Sequence, residues 1–383
     1  MKIGLDLSLV PGQRAGGGRY SYELACALAR IDPVNSYVLY PVFYYVVHPD
    51  YPRTDFPTGR RMRVAFGSMP PMLVRCLWKL PGAELLKEAL LGRVNVLHSN
   101  TFCVPRLRLG QKRLVVTIYD ASVVTHPQFH VKENIDHCLR GIRTAIERAD
   151  AIITISEHAR RELVERMNVP PDRIAVTPLA SPPELRRVLD PVLLGRVRER
   201  YKLPERFVLF LGMVEPRKNL IRLVDAYARL SPGTRRETHL VVAGPAGWLN
   251  KALFERVEDL GIGSSVQFIG YVDEGDLASV YSLATVFAYP SLYEGFGIPV
   301  LEAMICGTPV LTSDVAALPE VVGDSALLVL PTDTDAISKA LLNLLESETL
   351  RADLSARGMR RAAQFSWDRC ARETLAVYES VAG

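Results

Sequence analysis

The sequence predicts an α/β protein made of two doubly wound, Rossmann-like domains of parallel sheet that face each other across a cleft. Three observations predict it. Short apolar runs alternate with amphipathic helical stretches throughout the chain, the pattern of open sheets flanked by helices. The runs are continuous in Val, Ile, Leu and Phe, as strands buried on both faces require. Six such runs lie on each side of residue 190, and between them residues 178–204 carry Pro178, Pro182, Pro183, Pro191 and Pro204 among polar residues. A proline-rich polar stretch of this kind separates domains.

In chain order, the first domain (residues 1–185) has strands expected at 2–7, 36–42, 94–97, 114–118, 151–155 and 174–177. Its helices are expected at 18–30, 132–148 and 157–167, where the pattern turns amphipathic. The second domain (residues 186–365) has strands at 207–211, 239–243, 266–269, 286–289, 309–312 and 326–330, with helices at 220–230 and 336–345. Ser366 and Trp367 introduce a terminal segment, 366–383, carrying a last helix at 368–381. That helix packs either on the second domain or back across on the first.

Composition narrows the function. In 383 residues, 48% are hydrophobic and 23% charged, which is ordinary globular usage and excludes coiled-coil or collagen-like architecture. Six scattered cysteines form no C-x-x-C pair, so they read as reduced thiols of an intracellular protein. Seven histidines show no H-x-x-H or H-E-x-x-H spacing, so no metal site is expected. Asp6 falls where a signal peptide would be apolar, and the longest apolar run, 37–47, is too short to span a bilayer. The expected location is the cytoplasm. The net charge of +4 hides an asymmetry: residues 1–185 hold 24 Lys and Arg against 17 Asp and Glu, the remainder 22 against 25. A basic first half suits a phosphate-bearing substrate or a membrane surface. Residues 70–93 mix Leu73, Val74, Leu77 and Trp78 with Arg75, Lys79, Lys87 and Arg93, just after Arg60, Arg61 and Arg63. This suits peripheral contact with anionic lipid at the inner face of the plasma membrane, and equally a core helix with a solvated face. No basic stripe with interleaved aromatics is present, so no nucleic-acid partner is expected.

In doubly wound domains, ligands bind beyond the carboxyl ends of strands, so the strand-to-helix loops carry the chemistry. After the first strand, residues 11–20 include Gly16, Gly17 and Gly18 ahead of a helix. Such a loop lets the backbone approach an anion, but neither the dinucleotide nor the Walker spacing is present. After the strand at 207–211 comes Gly212-Met213-Val214-Glu215-Pro216-Arg217-Lys218-Asn219. Cations at a helix start oppose the dipole, and a diphosphate would reverse that cost. Arg217 offers a fork and Lys218 a point charge. The third loop is the densest. Glu294, Gly295, Phe296, Gly297, Ile298 and Pro299 precede Glu302, so two carboxylates bracket one strand-to-helix junction. Carboxylates accept hydrogen bonds from vicinal hydroxyls of sugars and riboses. Asp333-Thr334-Asp335 imitates a metal motif, but it precedes a helix at 336–345 and reads as a cap.

With Glu294 and Glu302 as E-x7-E inside SLYEGFGIPVLEAMICGTPVLTS, and with GMVEPRKNL, GGGRYSYEL and TISEHARRELV, the chain resembles the retaining glycosyltransferases of family 4. The resemblance runs from Met1 to the terminal helix and is most specific in the second half. It implies the GT-B fold, with an acceptor-side first domain and a donor-binding second domain. Within the family the chain looks most like bacterial mannosyltransferases of surface-polysaccharide assembly, such as those of lipopolysaccharide. What the resemblance implies is transfer of a hexose, with mannose from GDP-mannose the first candidate, from a nucleotide-diphosphate sugar to a saccharide or lipid-linked saccharide acceptor. The nucleotide sugar is a substrate, and no cofactor or metal is implied. By position, Arg217 and Lys218 would hold the diphosphate and Glu302 the ribose. Glu294 and the amides of Gly295, Phe296 and Gly297, beside Ile298, would hold the sugar. Gly212, Gly244, Tyr271 and Val272 would surround the nucleotide. Gly17, Gly18 and Tyr119 would approach the donor from the first domain, and Asp120 would face the reacting sugar and acceptor. Tyr119 stands where relatives usually carry His, so the part of the family mechanism that uses that histidine is not carried over. Residues 179–181 also lack the family's Gly-Val-Asp. Two other readings stay open at this point: a catalytically silent nucleotide-sugar-binding subunit, and another GT-B enzyme such as a hydrolysing sugar-nucleotide epimerase.

Overall fold

The computed structural model describes residues 1–10, 16–40, 56, 57, 59, 61–65, 72, 73, 76, 80, 92–101, 112–245 and 251–383. The first part of the glycine loop (11–15) and most of the basic, apolar stretch 70–93 lie outside the described residues.

Two compact units form. Unit 1 comprises Met1–Leu179 and Trp367–Gly383, and unit 2 comprises Ala180–Ser366. The strands of unit 1 are β1 (Lys2–Asp6), β2 (Ser36–Tyr40), β3 (Met62–Val64), β4 (Val96–Ser99), β5 (Arg113–Thr117), β6 (Ala151–Thr154) and β7 (Ile174–Val176). They make one parallel sheet in the order β3-β2-β1-β4-β5-β6-β7. Unit 2 has β8 (Phe207–Leu211), β9 (His239–Ala243), β10 (Val266–Gly270), β11 (Val286–Tyr289), β12 (Val310–Ser313) and β13 (Leu327–Val329). These are also parallel, in the order β10-β9-β8-β11-β12-β13. Both sheets are doubly wound, as the continuous apolar runs require. Leu209, Val241, Phe287 and Leu311 are all fully buried.

The sequence reading lacks β3. It is a three-residue edge strand reading Met-Arg-Val, with Arg63 exposed. Too few apolar residues lie there to register as a run, and pairing with β2 makes the strand.

The terminal helix, Trp367–Ala382, belongs to unit 1 and packs on the helix Gly17–Ile31. Arg30 Nε donates to Asp368 Oδ1 at 3.1 Å. Beneath it, His98 Nδ1 lies 2.6 Å from the Tyr378 hydroxyl and His98 Nε2 lies 2.8 Å from Thr117 Oγ1. Burial pulls His98 down to about 3, so this histidine is a neutral structural link. Asp333 caps the helix Thr334–Glu346, accepting from the Ala336 amide at 2.9 Å. Cys76, Cys138, Cys306 and Cys370 are free thiols. Among the described residues, no helix is long and apolar enough to cross a membrane.

Candidate active site

In unit 2 the chain runs β8, β9, β10 in one direction and then returns to place β11 on the other side of β8. The gap between the carboxyl ends of β8 and β11 is therefore the topological switch point, where open sheets bind ligands. The loops after these two strands bring the residues named from sequence into one network.

After β8, residues Pro216–Lys218 form a single 3-10 turn. Asn219 follows in the left-handed region at φ 60°, and the helix Leu220–Ala228 begins. Asn219 sutures three loops, its Nδ2 donating to the carbonyls of Pro290 (2.9 Å) and Pro331 (2.7 Å). The loop after β11 is tied to the same turn, because the Leu292 amide donates to the Arg217 carbonyl at 2.8 Å. Gly297, at φ 106°, leads into the helix Ile298–Ile305, with Pro299 in its first turn.

The side chains converge on Glu294. Lys218 Nζ donates to its Oε1 at 2.6 Å and Arg217 Nη1 to its Oε2 at 3.1 Å. Ser291 Oγ donates to Oε1 at 2.7 Å. Arg217 also reaches Glu215 Oε1 at 2.7 Å and the Tyr293 carbonyl at 2.9 Å. Lys218 donates to the Tyr289 hydroxyl. Glu215, Lys218 and Glu294 are buried and Arg217 is partly exposed. Burial pushes the Glu294 carboxyl up, but Lys218 and Arg217 beside it outweigh that and hold it at about 2. Burial also draws the Lys218 ammonium below its ordinary value, against the pull of Glu294. The result is a linked quartet, Glu215–Arg217–Glu294–Lys218, of alternating acidic and basic side chains.

Glu302 sits in the second turn of its helix, also buried, and accepts from the Tyr281 hydroxyl at 2.9 Å. It is not part of the quartet. Gly212 and Gly244, after β8 and β9, are brought together: the Gly212 amide donates to the Ala243 carbonyl at 3.0 Å. A Cβ on Gly244, which has φ 127°, would collide with the Gly212 carbonyl, so this glycine is required by backbone approach. The Gly244 amide donates to the Gly270 carbonyl at 2.7 Å, which sets half-exposed Tyr271 and buried Val272 beside the same edge.

In unit 1 the switch point lies between β1 and β4. Gly17 and Gly18 begin the helix Gly17–Ile31, and a Cβ on Gly18 would strike the Leu9 carbonyl oxygen. Tyr119, after β5, donates to the Asn100 carbonyl at 2.7 Å and stands edge-on to Tyr20 at 5.5 Å. Burial pushes the Tyr119 phenol well above its ordinary value, so it stays a neutral donor. Asp120 accepts from the Ser122 amide at 2.9 Å, starting the short helix Ser122–Thr125. Tyr119→Phe removes the bond to Asn100, which costs about 1 kcal/mol of stability. Turnover is expected to fall while nucleotide binding is kept. Unchanged turnover in steady-state assays would reduce Tyr119 to packing.

In the sequence, Asp6 speaks only against a signal peptide, Ser291 and Glu215 show only as parts of their loops, and neither Tyr281 nor Tyr289 is singled out. Asp6 had a readable signal, an acid ending an apolar strand. It is 4% exposed, accepts from the Ser8 amide at 2.9 Å, and burial raises its pKa from 3.8 to about 6. Its folded value lies above the unfolded one. Its contribution to stability is therefore present below pH 3.8 and lost as the pH rises through about 6, a loss on the order of 3 kcal/mol. Asp6→Asn should melt higher than wild type at pH 8, with the gap closing at pH 4. Equal gaps at both pH values in scanning calorimetry would refute this.

Comparison with known proteins gives a consistent picture. The sequence pattern of "Glycosyl transferases group 1" matches residues 196–361, and that of "Glycosyltransferase Family 4" matches residues 14–184. The chain is 34% identical over 394 residues to the O-antigen chain mannosyltransferase B of Escherichia coli, covering 99% of this chain and 100% of that one. Among solved structures it is similar to a sucrose-phosphate synthase of Thermosynechococcus elongatus, with TM-score 0.75, 23% identity, and 99% and 98% of the two chains covered. It is also similar to an Anabaena protein solved with UDP and glucose, with TM-score 0.72, 17% identity, and 99% of each chain covered. Both structural likenesses speak to the fold.

Proposed function

The chain belongs to glycosyltransferase family 4, and from that premise we propose that it transfers mannose from GDP-mannose to a hydroxyl of a saccharide or lipid-linked saccharide, retaining the anomeric configuration and using no metal. The observation that carries the reading is the quartet at the β8/β11 switch point. Arg217 and Lys218 are two ionised cations held at the carboxyl edge of a parallel sheet, where a departing diphosphate needs its charge stabilised. They supply the positive charge that a metal ion provides in other transferases.

In the reaction, the bond from the sugar's anomeric carbon to the β-phosphate oxygen breaks, and its electron pair leaves on the diphosphate. The acceptor hydroxyl attacks the same face of the sugar, and its proton passes to a diphosphate oxygen. Arg217 and Lys218 exchange Glu294 for phosphate oxygens. Glu294 then accepts from the sugar hydroxyls, and the amides of Gly295, Phe296 and Gly297 donate to their oxygens. Glu302 takes the ribose, and Gly212, Gly244, Tyr271 and Val272 border the nucleoside. Gly17, Gly18, Tyr119 and Asp120 are the candidates on the acceptor-side unit. The mannosyl assignment is supported by the full-length likeness to the O-antigen mannosyltransferase.

The test incubates the full chain with radiolabelled GDP-mannose and, separately, UDP-glucose, with and without a chelator. Slow release of labelled mannose from GDP-mannose, unaffected by chelator, is expected. GDP should also raise the melting temperature. Nucleotide binding with no turnover of either donor would favour the silent subunit instead, and a β-mannosidic linkage formed with an added saccharide acceptor would overturn retention.

A further inference from the structure

We propose that Tyr281 is a positioning residue for donor binding, its phenol fixing the Glu302 carboxylate in the orientation that receives the donor's ribose hydroxyls. The inference rests on the ribose reading of Glu302.

Tyr281 lies near the end of the helix Glu274–Leu283, which packs against the helix Ile298–Ile305 that carries Glu302. It is completely buried. Its hydroxyl donates to Glu302 Oε2 at 2.9 Å. Its ring meets Phe287 of β11 edge-on, with centroids 5.5 Å apart and planes at 70°. Its carbonyl accepts from Thr308 Oγ1 at 2.6 Å. Main chain, ring and hydroxyl are thus each fixed by a different element, and the phenol has no room to reorient.

Packing alone does not call for a hydroxyl here. Phenylalanine would fill the same space between helix and sheet and bring no polar atom into the core, where an oxygen is tolerated only if it is hydrogen-bonded. What the hydroxyl adds is direction. A hydrogen bond to an ionised carboxylate is among the stronger ones, and it sets the plane of the Glu302 carboxyl. A carboxylate that meets a vicinal diol must turn its plane toward the two hydroxyls. Fixing that plane before the donor arrives removes an ordering cost from binding. Burial and the adjacent Glu302 carboxylate push the Tyr281 phenol well above its ordinary value, so it remains a donor throughout the working pH range.

The ribose does not change during transfer, so the interaction is the same in ground and transition states. Its loss belongs in KM and nucleotide affinity, with kcat preserved. The experiment is calorimetric titration of the full chain with GDP and UDP and with the 2′,3′-dideoxy form of each, for wild type, Tyr281→Phe and Glu302→Gln. Wild type is expected to prefer the ribonucleotide. Tyr281→Phe should bind the ribonucleotide about tenfold more weakly, leave the dideoxy nucleotide unchanged, and raise donor KM at constant kcat. If Tyr281→Phe keeps the ribose preference while Glu302→Gln abolishes it, the positioning role is overturned and the ribose reading stands. Equal weakening of both nucleotides with a lower melting temperature shows a structural role only, which also overturns it. If Glu302→Gln keeps the preference, or wild type has none, the ribose reading itself falls and the inference with it.

Discussion

Lys218→Ala is expected to lower turnover of the nucleotide sugar by about 10²–10³-fold, the usual effect of removing one preorganised group from a developing charge. Lys218 is chosen over Arg217 because its whole environment is built around the ammonium. Nζ lies 2.6 Å from Glu294 Oε1, donates to the Tyr289 hydroxyl and sits 5.0 Å from the centroid of that ring. Its removal leaves Glu294 with Arg217 at 3.1 Å and Ser291 at 2.7 Å, one cation short. Breaking a buried pair from one side costs about 3–5 kcal/mol, so the variant should also melt lower. Lys218→Arg keeps the charge but not the shape, since a planar fork replaces a compact ammonium. It should recover stability more than rate. Single-turnover assays at saturating donor, read beside melting curves, check both. Full turnover in a folded Lys218→Ala would remove Lys218 from the chemistry.

Why these residues were legible in sequence, and their arrangement was not, follows from the sheet order. Arg217 and Lys218 announced themselves as cations at a helix start, and Glu294 as an acid in a glycine-rich loop. Sequence shows them as two sites in two loops. They become one because β11 lies beside β8, a neighbour relation that hydrophobic periodicity does not encode. The same limit hid Tyr281. Its position reads as one more apolar residue on a core helix, and only the packing of that helix on its neighbour brings its hydroxyl to Glu302. Strands β8, β9 and β11 were readable because both faces are buried and every residue can be apolar. Helices with wide solvated faces, such as Pro191–Arg200 and Glu348–Ala362, carry many charges and left a faint pattern. Gly244 was read as a nucleotide contact from family resemblance. The structure adds a local reason for it, the Gly212 carbonyl lying where a side chain would stand.

Glu294→Gln is expected to separate binding from chemistry in opposite directions. From sequence alone, losing Glu294 should leave affinity for the bare nucleotide nearly unchanged, because the residue is assigned to the sugar. The structure changes that expectation. Glu294 occupies both Arg217 and Lys218, and with Glu215 it brings the quartet to net zero charge. Glutamine keeps the shape and removes one negative charge, so the two cations meet an incoming diphosphate with less competition. GDP affinity should rise by several-fold. Turnover should still fall by about 10²–10³-fold, because the anomeric carbon gains positive charge as its bond breaks and an ionised acceptor beside that ring counts most in the transition state. The ionised form is secure: Glu294 is held at about 2, so this loss should not vary between pH 6 and 8. Glu302→Ala provides the contrast, with weaker GDP binding, higher donor KM and little change in kcat. Calorimetry with GDP and steady-state turnover on the same preparations decide the matter. A Glu294→Gln variant that loses GDP binding yet retains kcat would exchange the roles of the two glutamates, and would place the sugar at Glu302.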